Sequence, residues 1–458
     1  MVQHWAHEEF RDVPIKDKRL RSRLIDVVKS LADLPESSIN QACNCWAAAK
    51  GAYRFFDNPN VRPIAISTRH RAMTKERAQK FPYVLAIQDS SALNYHHHPS
   101  KAEEIGVNMS YETDHGRKVS RGLMTHTTLC LSPAGVPLGI LDFQVWRRGI
   151  DYQEEKESTR WIKALGRYQP TEKLTNFVTV ADREADFNEF ILEIQGRKGN
   201  FVIRAKSNRR KRRDDESGLN FLIASAPFVG EYKERVRNKK MKTSRQPKES
   251  NCERFQGQDK KWDREATLML QARSVELTTA SKIKFKVNVV RVSEASRVCE
   301  DDEDLIEWVL FTSLSIETLD DIKKVISIYK QRWRIEEYFK VLKSGLGVED
   351  CRLETYARLC RYLNVASIVA WRIMWSNYYA RVNPEAPCTE FLSDGEWRAL
   401  FHKMNNGNAP INGPPTVRQA ILWIARLGGH LGRKGDGYPG NVTLWRGWRR
   451  MMDLSFGW

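Results

Sequence analysis

Two short apolar runs that each close on an aspartate constrain this chain most. Tyr83-Val84-Leu85-Ala86-Ile87-Gln88-Asp89 and Asn176-Phe177-Val178-Thr179-Val180-Ala181-Asp182 have the pattern of buried strands with a terminal acid. An ionised carboxylate at a buried strand end is costly unless something pairs with it, and a divalent cation is a natural partner. Taken alone, either aspartate also has the look of an ordinary cap or turn residue.

The surrounding pattern alternates. Residues 1 to about 75 read as helical, with Leu20, Leu24, Val27, Val28 and Leu31 on one stripe of the 16–34 segment. Strands are expected at 123–133 and 137–146, separated by a turn at Ala134-Gly135, with helices at 156–168 and 187–195 and a strand at 201–206. Residues 207 to about 300 carry basic, turn-rich stretches, Asn208–Arg213 and Arg235–Lys248, among strand-like pieces at 264–277 and 282–292. Glu307–Ser313 returns to buried-strand character, a helix begins near Thr318 and runs to about Leu346, and the remainder is helical apart from an Asn/Gly/Pro-rich stretch at 405–415. The class is α/β, with a β-rich insertion and helical regions at both ends.

Seventy-five Lys and Arg stand against 57 Asp and Glu, a formal charge of +18. That excess suits a polyanionic partner, because a basic surface releases counterions when it binds phosphates. Part of the basic charge lies early in the 16–34 helix, at Lys16, Lys18, Arg19, Arg21 and Arg23. The N-terminus has no apolar core of the signal-peptide kind, and no stretch approaches the roughly 20 apolar residues that span a bilayer. The eight cysteines form no paired framework, so they read as reduced, and the chain as cytoplasmic.

The segment 328–343 sharpens the chemistry. Tyr329, Arg332, Glu336 and Lys343 fall at i, i+3, i+7 and i+14, within roughly a 60° stripe of an ideal helix. Such residues make a poor core stripe and a good wall for a metal and a phosphodiester, the glutamate ligating and the cations contacting phosphate. Glu337 lies about 100° round the helix from Glu336, off the basic stripe.

These residues resemble the DDE transposases of the IS-four group. The family's Y-x2-R-x3-E-x6-K signature is met by Tyr329, Arg332, Glu336 and Lys343, and its D-R-E-A-D motif by Asp182, Arg183, Glu184, Ala185 and Asp186. The strand ending Ala86-Ile87-Gln88-Asp89-Ser90-Ser91 is similar, as are 51–61, Ile424–Gly429 and Leu444–Trp448, so the likeness runs almost end to end. It implies an RNase H-like core in which Asp89, Asp182 and Glu336 hold two Mg²⁺ ions, with Mn²⁺ able to substitute. It also implies cut-and-paste transposition through a hairpin at the transposon end, with a flipped base received by Trp308 and Trp333 a second stacking candidate. By position alone Trp308 reads as a core residue of a buried strand. Further DNA contacts implied are Arg204, Lys340 and Lys343, with Arg19, Arg23 and Arg54 for end recognition.

The implied partners are double-stranded DNA, as transposon ends and target, and a second copy of the chain in a paired-end complex; no membrane partner is implied. The setting would be a bacterial nucleoid. The divisions expected are an end-binding region at 1–75, the core at 76–206 and 301–360 interrupted by the insertion at 207–300, and a dimerisation region at 361–458. A catalytically silent regulator of transposition and a nuclease without strand transfer are the competing readings; the intact acids and the full Tyr–Arg–Glu–Lys set weigh against the regulator. Leu123-Met124 stands where relatives carry paired tryptophans. Asp263-Arg264-Glu265 repeats the acid motif only in letters. His96, His97 and His98, read as extended, would point to alternate faces and share no metal.

Overall fold

The computed structural model describes residues 4–101, 103–113, 116–151, 156–169, 176–206, 225–237, 263–279, 281–295, 305–408, 413–433 and 436–455. The basic stretch at 208–213 and most of that at 235–248 lie outside these. The chain forms two compact units, one of Met1–Val178 with Gln331–Trp458 and one of Thr179–Lys330.

The first unit opens with helices α1 (Trp5–Phe10), α2 (Lys18–Asp33), α3 (Ile39–Ala42), α4 (Trp46–Asp57) and α5 (Pro63–Ala78). Asp17 caps α2 by accepting from the Arg19 N–H, and Pro63 at the first position of α5 costs no helix hydrogen bond. Strands β1 (Val84–Asn94), β2 (Gly106–Thr113), β3 (Gly116–Leu131) and β4 (Pro137–Trp146) follow, then helix α6 (Thr159–Tyr168). β3 lies antiparallel to β1, β2 and β4. β1 is longer than its apolar run: Val84–Gln88 are buried, and from Asp89 the strand continues half-buried because β3 pairs its whole length, with Asp89 opposite Thr127 and Ser90 opposite His126. Asp89 therefore sits mid-strand, not at a strand end.

Strand β5 (Phe177–Ala181) leads into the second unit, which holds helix α7 (Asn188–Gly196), strands β6 (Asn200–Arg204), β7 (Phe228–Arg237), β8 (Asp263–Thr278), β9 (Lys284–Glu294) and β10 (Glu307–Thr312), and helix α8 (Leu319–Lys330). The insertion strands form no separate body, because β9 pairs β10, β10 pairs β6, and β8 and β7 follow in series. β9 buries alternate residues, Phe285, Val287 and Val289 among them, as a half-covered antiparallel strand should.

The first unit then adds helices α9 (Arg334–Lys340), α10 (Tyr356–Val382), α11 (Asp394–Met404), α12 (Val417–Leu427) and α13 (Asn441–Ser455). α10 is buried on nearly every face, as expected of a central helix. Its one well-buried cation, Arg361, donates to the Val61 carbonyl at 2.7 Å and the Phe56 carbonyl at 2.9 Å, holding the C-terminal end of α4. Arg358 pairs with Asp57 at 2.7 Å, so segment 51–61 is clamped to α10 by two arginines one turn apart.

The expected single helix from 318 to 346 is not continuous α-helix. A 3₁₀ turn at Gln331–Trp333 separates α8 from α9, and a π-helical turn, Val341–Gly345, ends the run. An ideal-helix stripe does not survive those changes of pitch. The tightening falls where Arg332 and Arg334 are drawn to different partners, and apolar spacing does not register such side-chain pulls. His96–His98 form a turn instead of an extended segment, with the rings of His96 and His97 3.6 Å apart. Among the described residues no helix is long and apolar enough to cross a membrane. The expected class is the one found: mixed α/β, β-rich between 228 and 294, helical at both ends.

Candidate active site

In the first unit, Arg332 joins two of the anticipated acids. Its Nη1 donates to Asp89 Oδ2 at 3.3 Å and its Nη2 to Glu336 Oε1 at 2.6 Å. The Asp89 and Arg332 side chains are only 14% and 15% exposed, so the pairing works in a partly dried setting where charge-assisted bonds are stronger. The other Asp89 oxygen accepts the Ser90 N–H at 2.8 Å. Glu337 turns elsewhere, accepting from Arg334 at 3.2 Å and from the Tyr378 hydroxyl, which separates the two adjacent glutamates as the helix-angle argument anticipates.

Sequence reasoning passed over the strand residues around Asp89. Ser90, Thr127 and His126 surround it on β1 and β3, and Thr127 and His126 are fully buried. Polar residues at four consecutive positions of a strand, Thr125 to Thr128, are the available signal. Directly opposite residues share a sheet face, so Thr127 lies on the Asp89 side and His126 on the other.

The second unit positions the remaining core residues. Asp182 follows β5 and caps the short turn Arg183–Ala185, its Oδ1 accepting from the Glu184 N–H at 2.8 Å. Trp308 is only half-buried near the start of β10, so it is not the core tryptophan that its strand alone would suggest. Its ring meets Tyr329 of α8 edge-on, with centroids 5.5 Å apart. Arg204 of β6 donates to the carbonyl of Glu307, the residue before Trp308, at 3.1 Å.

The other anticipated contacts are spread more widely. Lys340 is exposed, and Trp333 is 59% exposed. Lys343 is half-buried; loss of solvent pushes its ammonium below the usual lysine range, with Glu349 opposing. Arg19 is almost fully exposed and pairs with Asp17 at 3.3 Å, and Arg54 is exposed on α4. Arg23 differs: its guanidinium lies over Gly51, where an added Cβ would stand 2.7 Å from it, so it packs α2 against α4. Among the described residues no three His, Cys, Asp or Glu side chains are grouped as a ready-made metal site. The pair that the first unit does assemble suits a hard cation, since Asp89 and Glu336 offer carboxylate oxygens. Among the described residues the buried Thr127 hydroxyl opposite Asp89 has no hydrogen-bond partner, which fits a site where a hydrated cation would bind.

Three family models match the chain in sequence order. Residues 2–61 match a transposase DNA-binding domain, 80–371 a transposase DDE domain, and 368–456 a transposase Tn5 dimerisation domain. Among solved structures, a cryo-EM structure of a piggyBac transposase synaptic complex with hairpin DNA matches over 82% of this chain and 72% of that one, at 8% identity and a TM-score of 0.37. The DDE domain carries dependence on a divalent metal, and the flanking domains carry DNA binding and dimer formation. With the DDE model spanning the sheet and both acids that Arg332 joins, this chain belongs to the DDE transposases of the Tn5 type and is a DNA transposase.

Proposed function

We propose that this transposase works by cut and paste, with Asp89, Asp182 and Glu336 as its three metal-binding carboxylates. The observation that carries the reading is Arg332 drawing Asp89 and Glu336 to one point inside the DDE domain. Two Mg²⁺ ions, with Mn²⁺ able to replace them, would activate a water or 3′-hydroxyl and stabilise the leaving oxygen. The protein's own part is positional. Asp89, Asp182 and Glu336 hold the cations, while Arg332 hands its guanidinium from carboxylate to phosphate as DNA arrives. Lys340 and Lys343 add phosphate contacts.

Nicking, hairpin formation and joining to target use the same acids with only the nucleophile exchanged. Trp308, backed by Tyr329 and flanked by Arg204, offers an aromatic face to the base that must leave the stack for the hairpin to close. Two copies pair the ends through residues 368–456, and Arg19 and Arg54 contact the end duplex. Arg23 supports that surface from below by holding α4.

The test is a duplex carrying the junction of the element's terminus with flanking DNA, incubated with the chain and Mg²⁺ and resolved on a denaturing gel. A nick followed by a product of doubled strand length is expected. Double-strand cleavage without that species would overturn the hairpin route.

A further inference from the structure

The face of the sheet opposite Arg332 carries a chain of buried polar groups that ends at Asp89. Tyr168, on α6, takes a hydrogen bond from Gln88 Nε2 at 2.7 Å. Gln88 Oε1 lies 2.9 Å from His126 Nε2, and His126 Nδ1 lies 2.9 Å from Ser90 Oγ. Gln88 and His126 are both 0% exposed. Because Gln88 Oε1 only accepts, the ring proton sits on Nε2, and Nδ1 is left to accept from the Ser90 hydroxyl. Burial, with Arg160 adding to it, depresses the imidazole to about 3, so it stays neutral in this relay. Trp161 closes the ring's other side edge-on at 4.6 Å.

Every member of this chain has a partner, which is the condition under which a buried polar network fixes one geometry. Its last member is the residue whose backbone N–H donates to Asp89 Oδ1 at 2.8 Å. We propose that His126, acting through Ser90, is a positioning residue that fixes the Asp89 carboxylate for metal binding. It holds Ser90 from behind the strand, so the carboxylate keeps one oxygen on the Ser90 N–H and presents the other to the opposite face, where Arg332 meets it. The inference rests on the reading of Asp89 as a metal ligand.

The test uses the full-length chain bound to a duplex bearing its element's terminal sequence, and reads Mn²⁺ binding from loss of the free six-line EPR signal. H126L removes both ring contacts, H126N keeps an acceptor where Nδ1 stands, and S90A deletes one hydroxyl with little disturbance to packing. H126L and S90A are expected to raise the Mn²⁺ concentration at half-occupancy by about tenfold or more, the usual effect of losing a group that orients a ligand. H126N is expected to stay close to the parent. If H126L does not fold, S90A decides the matter, since its melting temperature should match the parent's. Parental Mn²⁺ affinity in S90A overturns the proposal. D89N separates the two levels: if it binds Mn²⁺ as the parent does, the ligand reading itself fails, whereas loss in D89N with none in S90A removes only the positioning role.

Discussion

Arg332 donates to Glu336 across one helical turn at 2.6 Å, and the other arm of its guanidinium reaches Asp89 at 3.3 Å. A planar fork spans two carboxylates in a way that the point charge of an ammonium cannot. Replacing Arg332 with lysine keeps the charge and loses the fork. R332K should slow single-turnover end cleavage by about tenfold or more, the scale of one charge-assisted bond, while end binding changes little. A parental rate in R332K would mean that charge alone matters at this position.

Trp308 and Tyr329 meet edge-on, leaving Trp308 half-buried on β10. If Trp308 receives a flipped base, W308A should lose about tenfold or more in hairpin yield, and W308F should recover most of it, because stacking needs a flat aromatic face more than a particular ring. A 2-aminopurine placed next to the cleavage site reports base extrusion directly. Equal fluorescence change in W308A and the parent would move the pocket elsewhere.

Much of the fold is legible in the sequence, and what stays hidden has physical causes. The apolar runs before Asp89 and Asp182 announce β1 and β5, and the Tyr–Arg–Glu–Lys spacing covers the segment in which Arg332 bonds Glu336. The polar half of β1 stayed hidden, because pairing to β3 rather than burial keeps it a strand. β2 and β7 were missed for the same reason: their residues are largely polar, and neighbouring strands define them. The 3₁₀ turn before α9 falls at Arg332, whose partner Asp89 is distant in sequence, so local spacing does not register it. The packing of Arg23 over Gly51 is likewise hidden in the sequence, because nothing local to α2 shows that α4 leaves room there.

Two glycines explain why Ile424–Gly429 and Leu444–Trp448 stand out as motifs. A Cβ on Gly447 would lie 1.7 Å from the Ile424 carbonyl oxygen, and one on Gly428 1.8 Å from that of Thr443, so α12 and α13 cross backbone against backbone. G447A should cost about 1–3 kcal/mol, the range for overpacking, and should weaken dimer formation. Thermal melting and light scattering check the two effects, and a parental melting temperature would contradict the close approach.

Glu9 of α1 is held by His70 at 2.6 Å and Arg77 at 2.5 Å, both from α5. The Ile140 N–H donates to His70 Nε2, so the ring proton is on Nδ1 and points to Glu9. Burial alone would raise the Glu9 carboxyl, but His70 and Arg77 outweigh it and bring it from 4.5 to about 2. A carboxylate depressed on folding contributes stability that is fully present above its unfolded value and fades as pH falls through the folded one. Stability should therefore drop by about 3 kcal/mol between pH 4.5 and pH 2, and E9Q should remove that part of the pH dependence. Chemical denaturation across this range measures it; an unchanged acid limb in E9Q would deny Glu9 the role.

The central claim is that Asp89 and Glu336, drawn together by Arg332, belong to the metal-binding acids that cut DNA. Release of a cassette flanked by the element's own ends, in Mg²⁺, compared between the parent and E336A, tests it most directly. The account predicts release by the parent and none by E336A, with end binding retained in both. Release by E336A at the parental rate would contradict it.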